Sequence, residues 1–487
     1  MTRPVAKTFI TSLLVLLALS TTFMNTISSE IQPLMEARSV TIPQNLPWYP
    51  LVFFGDNRPS DIYSDTPPPV FFTALNEINS IYPIATIGLG DHVGYGYESQ
   101  YKTFYQIMSS TRLENLWFAM GNHEVVYPNG WSYWSKYIGP LYVIRDNIPA
   151  WRIAVLNTEV DIAKWGQMLT ETYRDLGARG LLMAFHRPVY PGVNHNIKTE
   201  HNSTIHEYMN RYGWPTLVVQ AHWHGWAKYE YNNTLWLISG STGAPLYSVS
   251  NCQQGSECVA DYNYLWLILR PDKTYTYAPV SVTRGALKVI AVNSTTFLVE
   301  NTKYDVYGNP VDIPVRLKYR VASINLYVVL LAPANSIIVV SIDPSRGNYL
   351  YTNATDYYAY FVRDDPYRAI VIQPGDDHGL SNYGLIGEIS AEAPENITPI
   401  TPTTTVSTTT TSRTTTTTQS STTTQATTHT PTGTETNSIA TPETPTSPSA
   451  TEGLKEGDKG GTTLILLVFG VLAGIAIYLT FRLKSKH

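Results

Sequence analysis

Five short apolar runs between residues 51 and 219 each end in residues that can hold a metal ion or an anion. Residues 51–54 run into Gly55-Asp56-Asn57-Arg58, 84–89 into Gly90-Asp91-His92, and 116–120 into Gly121-Asn122-His123-Glu124. Residues 181–185 run into His186-Arg187-Pro188, and 217–219 lead to His222-Trp223-His224-Gly225. Apolar runs this short read as buried strands. Between them, residues 70–81 and 163–176 carry apolar side chains at helical spacing, so the region reads as α/β. In open α/β sheets ligands bind at the C-terminal strand edge, which gathers the five polar endings at one place.

The donors so gathered are Asp56, Asp91, Asn122, His186, His222 and His224, all oxygen or imidazole and no thiolate. That mixture suits one or two divalent transition ions (Mn, Fe, Zn or Co), whereas Mg and Ca prefer all-oxygen shells. Each motif alone has a plainer reading: Gly-Asp as a turn that caps the next helix, Gly-Asn-His as a left-handed turn, His186 bonded to a carbonyl. Five such coincidences in this order favour the metal reading. His92, His195, His201 and His206 fit no motif and read as surface or capping residues. Asp376-Asp377-His378 reads as a solvated turn. Tyr95, Tyr97, Trp131, Trp134, Trp223 and Trp226 either stack on a substrate or pack.

Together these motifs resemble the calcineurin-like metallophosphoesterase superfamily, and distantly its purple acid phosphatases, over residues 48–280, including the loop 239–246. The resemblance implies a β-sandwich core flanked by helices. It implies that Asp56 and His224 hold one ion, that Asp91 bridges, and that Asn122, His186 and His222 complete the second. His123 would lie beside the substrate phosphate and Glu124 would orient it through its other ring nitrogen, while a hydroxide held between the ions attacks phosphorus in line. Two positions depart from the pattern. The histidine usual two residues after the first Asp is Arg58, and the tyrosine that purple acid phosphatases carry three residues after the second Asp is Gly94. The first ion is thus short of a ligand, and the purple acid branch is disfavoured. Arg58 either points inward and binds the phosphate, or turns out and pairs with Asp61 or Asp65.

The remaining segments set topology. Residues 1–29 read as a signal peptide or a retained signal anchor, with Arg3 and Lys7 before an apolar stretch. Residues 47–280 form the phosphoesterase domain, 281–395 a smaller all-β sandwich domain with strand alternation, and 397–461 a disordered Thr/Ser/Pro-rich stalk. Residues 463–481 are an uncharged apolar run long enough for one transmembrane helix, and Arg482, Lys484 and Lys486 place the tail 482–487 in the cytoplasm. An exported catalytic domain agrees with Cys252 and Cys258 as a disulfide and with sequons at Asn202, Asn232, Asn293, Asn353 and Asn396, which suit exposed loops. A net charge of −5 argues for no nucleic-acid-binding surface. The expected protein is a single-pass cell-surface phosphoesterase acting on small-molecule phosphate esters. The alternative is a surface binding or adhesion protein built on a degenerate phosphoesterase scaffold. Oligomeric state is not legible.

Overall fold

The computed structural model describes residues 31–362, 369–376 and 378–399. The signal segment 1–29, the stalk from residue 400 onward, the apolar run 463–481 and the tail lie outside them. Among the described residues no helix is long and apolar enough to cross a membrane.

Three of the five expected strands, β1 (Tyr49–Phe54), β2 (Ala85–Gly88) and β3 (Leu116–Phe118), run parallel in one sheet. The other two, β6 (Gly180–Ala184) and β7 (Leu217–Gln220), run parallel in a second sheet, so the ligand-bearing edge is shared between two sheets. The first sheet is completed by β11 (Asn263–Leu269) and β12 (Tyr275–Ser281), in the order β12-β11-β1-β2-β3. The second adds β4 (Val143–Ile148), β5 (Trp151–Val155), β8 (Trp226–Tyr231), β9 (Thr234–Ser239) and β10 (Glu257–Val259), in the order β10-β8-β9-β7-β6-β5-β4.

Period-two alternation explains the layers. On β6, Leu182 and Ala184 join the core shared with Leu51 and Phe53 of the first sheet. Leu181 and Met183 point the other way, into a cluster with Trp165, Met168, Ile205 and Met209 of two helices, Ile162–Tyr173 and Thr199–Tyr212. The outer face of the first sheet is covered by the helices Pro69–Ile81 and Glu98–Ser109, where Phe71 stacks on Phe54 and Phe104 meets Phe118 edge-on. Two sheets with helices on both outsides are the layering that the resemblance implied.

Residues beyond 286 build two further antiparallel sheets. One has four strands (Leu287–Asn293, Thr296–Asn301, Ser336–Asp343, Tyr349–Thr352) and the other five (Ala369–Ile372, Tyr357–Val362, Ile324–Ala332, Ile313–Val321, Ile389–Glu392). Polar anchors lock this part to the α/β part. Lys303 Nζ lies 2.8 Å from Glu77 Oε1, fully inside the protein. Arg316 donates to the Tyr82 and Pro83 carbonyls at 2.8 and 3.1 Å and to Glu114 at 2.7 Å.

The folded body exceeds its expected bounds at both ends. Leu34, Met35, Ile42 and Leu46 are buried in the core ahead of residue 47. Ile397, expected to open the stalk, is buried and exchanges two hydrogen bonds with the Asn76 side chain. Of the sequons, Asn232, Asn293, Asn353 and Asn396 are exposed, but Asn202 lies inside the helix Thr199–Tyr212 with its amide oxygen buried, not on a loop.

Candidate metal centre

At the C-terminal ends of β1, β2 and β7 the backbone turns sharply. Asp56, Asp91 and His222 adopt φ of 47°, 55° and 66°, the left-handed region that costs a side-chain-bearing residue energy and recurs at functional sites. Two glycines clear space for the carboxylates. A Cβ on Gly121 would lie 2.3 Å from Asp91 Oδ1, and one on Gly240 would lie 2.5 Å from Asp56 Oδ2.

The side chains fall into two triads that share Asp91: Asp56, Asp91 and His224, then Asp91, His186 and His222, each with its ligand atoms within 4.8 Å of one another. His224 Nε2 is 3.5 Å from Asp56 Oδ1, and His186 Nε2 is 3.3 Å from Asp91 Oδ1. Asn122 Oδ1 is 3.2 Å from His186 Nε2. All six expected ligands are therefore in one place.

Their unsatisfied atoms test whether a cation fits. One oxygen of each carboxylate is occupied, since Asp56 Oδ2 accepts from the His222 N–H and Asp91 Oδ1 from the His123 N–H. The other two, Asp56 Oδ1 and Asp91 Oδ2, are buried without a hydrogen-bond partner. A buried carboxylate oxygen without a hydrogen bond is costly, and a metal ion among these donors would satisfy both. His186 Nε2 and His222 Nδ1 face each other at 2.9 Å, a spacing at which at most one can carry a proton. Burial, then the neighbouring His186, pushes the His222 imidazole far below its usual range, toward the neutral form a metal requires. Burial by itself would raise the Asp91 carboxyl, but His186, His123, His222 and Arg58 around it hold it well below the carboxylate range. The donors present fit one or two divalent transition ions.

Arg58 points inward. Its side chain is almost fully covered, with Nε 3.6 Å from Asp91 Oδ2 and Nη1 donating to the Pro59 carbonyl at 3.3 Å. Neither Asp61 nor Asp65 holds it: Asp61 accepts from the Tyr63 N–H and Asp65 from the Ser99 hydroxyl. His123 Nε2 lies 3.8 Å from the same Asp91 oxygen, while its Nδ1 is bonded to the Gly94 carbonyl. Glu124 does not orient His123, contrary to expectation. Its buried carboxylate accepts from the N–H groups of Asp91, His92 and Gly121 at 2.9, 2.6 and 2.8 Å, tying the second and third ligand loops together. The reason is geometric: on the one-turn helix His123–Val125 adjacent side chains diverge, so a carbonyl from another loop reaches the imidazole instead. Burial, and then the charge of Asp91, push the Glu124 carboxyl up, against the three N–H bonds that favour its charged form.

Three residues at the centre had no assigned role in the sequence. Arg187 lies with Nη1 3.2 Å from His222 Nε2, braced by Glu159 through bonds of 2.7 and 3.1 Å. Its position directly after His186 was the available signal. Tyr247 stacks on His224 with centroids 4.1 Å apart, and His195 stacks on Tyr247 at 4.9 Å. His195 is thus a wall of the site rather than a surface residue, and only folding brings it there. His92 is buried with Nδ1 2.7 Å from Asn57 Oδ1, and burial lowers its imidazole to about 3. His201 is buried on the Val160 carbonyl, and His206 bonds the Tyr190 hydroxyl. His378 bonds the Tyr357 hydroxyl and joins no ligand cluster among the described residues. Trp134, Trp223 and Trp226 are fully buried and pack. Cys252 and Cys258 are bonded, and both pack with Tyr247, Trp223 and Val193 behind the His224 side of the centre. A cavity of about 580 Å³ between the helix Pro69–Ile81 and the strand Leu287–Asn293 shares no residue with the cluster.

No family model matches the chain, and no curated protein does. Solved structures align with it at low scores, among them a predicted phosphoesterase from Streptococcus pneumoniae. GAP50, the anchor in the inner membrane complex of Plasmodium, aligns at 9% identity and a TM-score of 0.40, over 49% of this chain and 86% of that one. A dimetal phosphatase from Danio rerio aligns at 10% identity and 0.32, over 52% and 96%. Vps29 from Entamoeba histolytica, complexed with Zn²⁺, aligns at 12% identity and 0.28, over 53% and 99%.

Proposed function

We propose that this chain is a metal-dependent phosphoesterase acting on small-molecule phosphate esters. The observation that carries the reading is the pair of buried carboxylate oxygens without a hydrogen bond, Asp56 Oδ1 and Asp91 Oδ2, set among imidazole nitrogens. Asp56, Asp91 and His224 would hold one ion, and Asp91, Asn122, His186 and His222 the other. Divalent ions held there supply Lewis acidity toward phosphoryl oxygens and lower the pKa of water.

The chain's own groups do the rest. Arg58, facing the Asp91 edge, offers a guanidinium fork to two phosphate oxygens. His123 has its Nδ1–H fixed on the Gly94 carbonyl, so in the imidazolium form its Nε2–H faces the centre and delivers a proton to the leaving oxygen. Arg187, held by Glu159, adds positive charge on the His222 side. We place this activity outside the cell, on a chain anchored by residues 463–481. The basic residues after that run and the Cys252–Cys258 bond support the placement.

A second reading is a surface binding protein on the same scaffold. What favours it is Arg58, a cation already set against Asp91 where the first ion would neutralise charge. Metal analysis of the purified full-length chain with an aryl phosphate assay separates the two. The enzyme reading expects bound transition metal, hydrolysis lost on chelation, and one ion fewer in His222→Ala and Asn122→Ala. Hydrolysis undiminished by thorough chelation overturns the mechanism, and absence of both metal and hydrolysis leaves the binding reading.

A further inference from the structure

Beside His123 the surface is built of tyrosines. Tyr63, Tyr95 and Tyr97 pack together, Tyr63 stacked on Tyr97 with centroids 6.5 Å apart and Tyr95 tilted against both at 5.1 and 5.0 Å. Tyr127 meets Tyr97 edge-on at 5.1 Å. Tyr63 is 60% exposed, so its stacking is not the consequence of burial in a core. The cluster is continuous with the catalytic centre. Tyr95 follows Gly94, whose carbonyl holds His123, and Tyr63 lies on the loop that leaves Arg58.

The two loops are held rigid by one buried side chain. Gln100 Oε1 accepts from the N–H groups of Tyr95 and Gly96 at 2.8 and 3.1 Å, and its Nε2 donates to the Ile62 and Ser64 carbonyls at 2.8 and 3.0 Å. The loops meet so closely that a Cβ on Gly94 would lie 2.2 Å from the Ile62 carbonyl oxygen. Fixed aromatic faces of this kind bind flat rings, because stacking loses little entropy when the platform is already ordered.

We propose that this tyrosine platform is the leaving-group subsite, and that the preferred substrates are phosphate monoesters whose leaving group carries an aromatic ring, either a simple aryl group or a nucleoside base. The proposal rests on Arg58 and His123 marking the phosphate end of the site. With the phosphate there, the ester oxygen faces His123, and the group it carries extends over the adjacent Gly94–Tyr97 loop. The ring lies against Tyr63 and Tyr95, and the proton from His123 enters on the same side. Tyr63 and Tyr95 are positioning residues, since they touch the leaving group away from the breaking bond.

The test compares kcat/KM of the full-length chain for phenyl phosphate, adenosine 5′-monophosphate and the acyclic glycerol 1-phosphate, in the unaltered protein, Tyr63→Ala and Tyr63→Phe. The ring substrates should exceed glycerol phosphate by about tenfold or more, the low end of base-on-aromatic stacking. Tyr63→Ala should collapse that ratio about tenfold, and Tyr63→Phe should keep it. A ratio near one in the unaltered protein, or one unmoved by Tyr63→Ala, overturns the subsite. Adenosine ahead of phenyl would identify base recognition, and parity would identify any aryl group. Should none of the esters be hydrolysed, the phosphoesterase reading fails separately. Saturation-transfer NMR with adenosine then decides the platform: signal lost in Tyr63→Ala upholds it, and signal absent or unaffected by the substitution overturns it.

Discussion

Arg58 Nε stands 3.6 Å from Asp91 Oδ2, and both atoms are buried without a hydrogen-bond partner. A guanidinium cannot coordinate a cation, so it shares this carboxylate oxygen with an ion only when an anion completes the arrangement. A substrate phosphate is such an anion. Arg58→Ala should therefore raise KM, lower kcat/KM by about 2–3 kcal/mol and weaken inhibition by inorganic phosphate. Arg58→His, which supplies a neutral ligand, should tighten the first ion, read as metal retained against a graded chelator. Unchanged kinetics and unchanged phosphate inhibition in Arg58→Ala would assign the side chain to structure alone.

His123 and Glu124 are sequence neighbours with separable roles. His123→Ala should keep metal content and melting temperature while the rate falls about a hundredfold or more. Glu124→Gln exchanges an acceptor oxygen for an NH₂ group facing the N–H donors of Asp91, His92 and Gly121. It should lose metal and about 1–3 kcal/mol of stability, because those loops carry Asp91 and Asn122. If Glu124→Gln slows turnover with metal content and stability intact, the carboxylate acts on the chemistry and not on the scaffold.

The Glu77–Lys303 pair inside the protein gives a pH signature. Burial outweighs the attraction of Lys303 and pushes the Glu77 carboxyl up to about 7 from an ordinary 4.5. Between those values the native protein keeps a proton that the unfolded chain has released. Stability from this group is thus complete below about 4.5 and is lost as pH rises to about 7, on the order of 3 kcal/mol in all. Chemical denaturation of the full chain across this window should show a shallower decline in Glu77→Gln. Identical slopes in the two proteins would mean that Glu77 titrates normally.

Breaking the Cys252–Cys258 bond should act locally on the centre's rim. Gln253, inside the loop it closes, accepts from the Gly192 N–H at 2.6 Å and so holds the segment carrying His195. A Cys252→Ser, Cys258→Ser double variant should lose about 2–3 kcal/mol from the closed loop and show faster amide exchange at residues 192–197. Exchange unchanged in that segment would show that the bond does not support the rim.

Residues 51–224 specify much of the centre through local pattern alone. A strand followed at once by Asp, Asn or His is such a pattern, and side-chain chemistry limits what those donors can hold. The six candidate ligands, the inner strands and the helices Pro69–Ile81 and Ile162–Tyr173 are legible for that reason, the second helix ending three residues short of the expected 176. Which sheet each strand joins is not, because β1–β3 and β6–β7 look alike in composition, and only pairing with β11 on one side and β9 on the other separates them. The same holds for His195 and Tyr247, whose stack on His224 joins segments remote in sequence from β7. Glu124 shows the limit most sharply. Its adjacency to His123 suggests a partnership, but the helical turn sends the two side chains apart and a carbonyl 29 residues upstream takes the imidazole. Sequence determined which atoms were available to bind a cation. Tertiary packing decided which of them were left without another partner, and a buried atom without a partner is where a ligand is held.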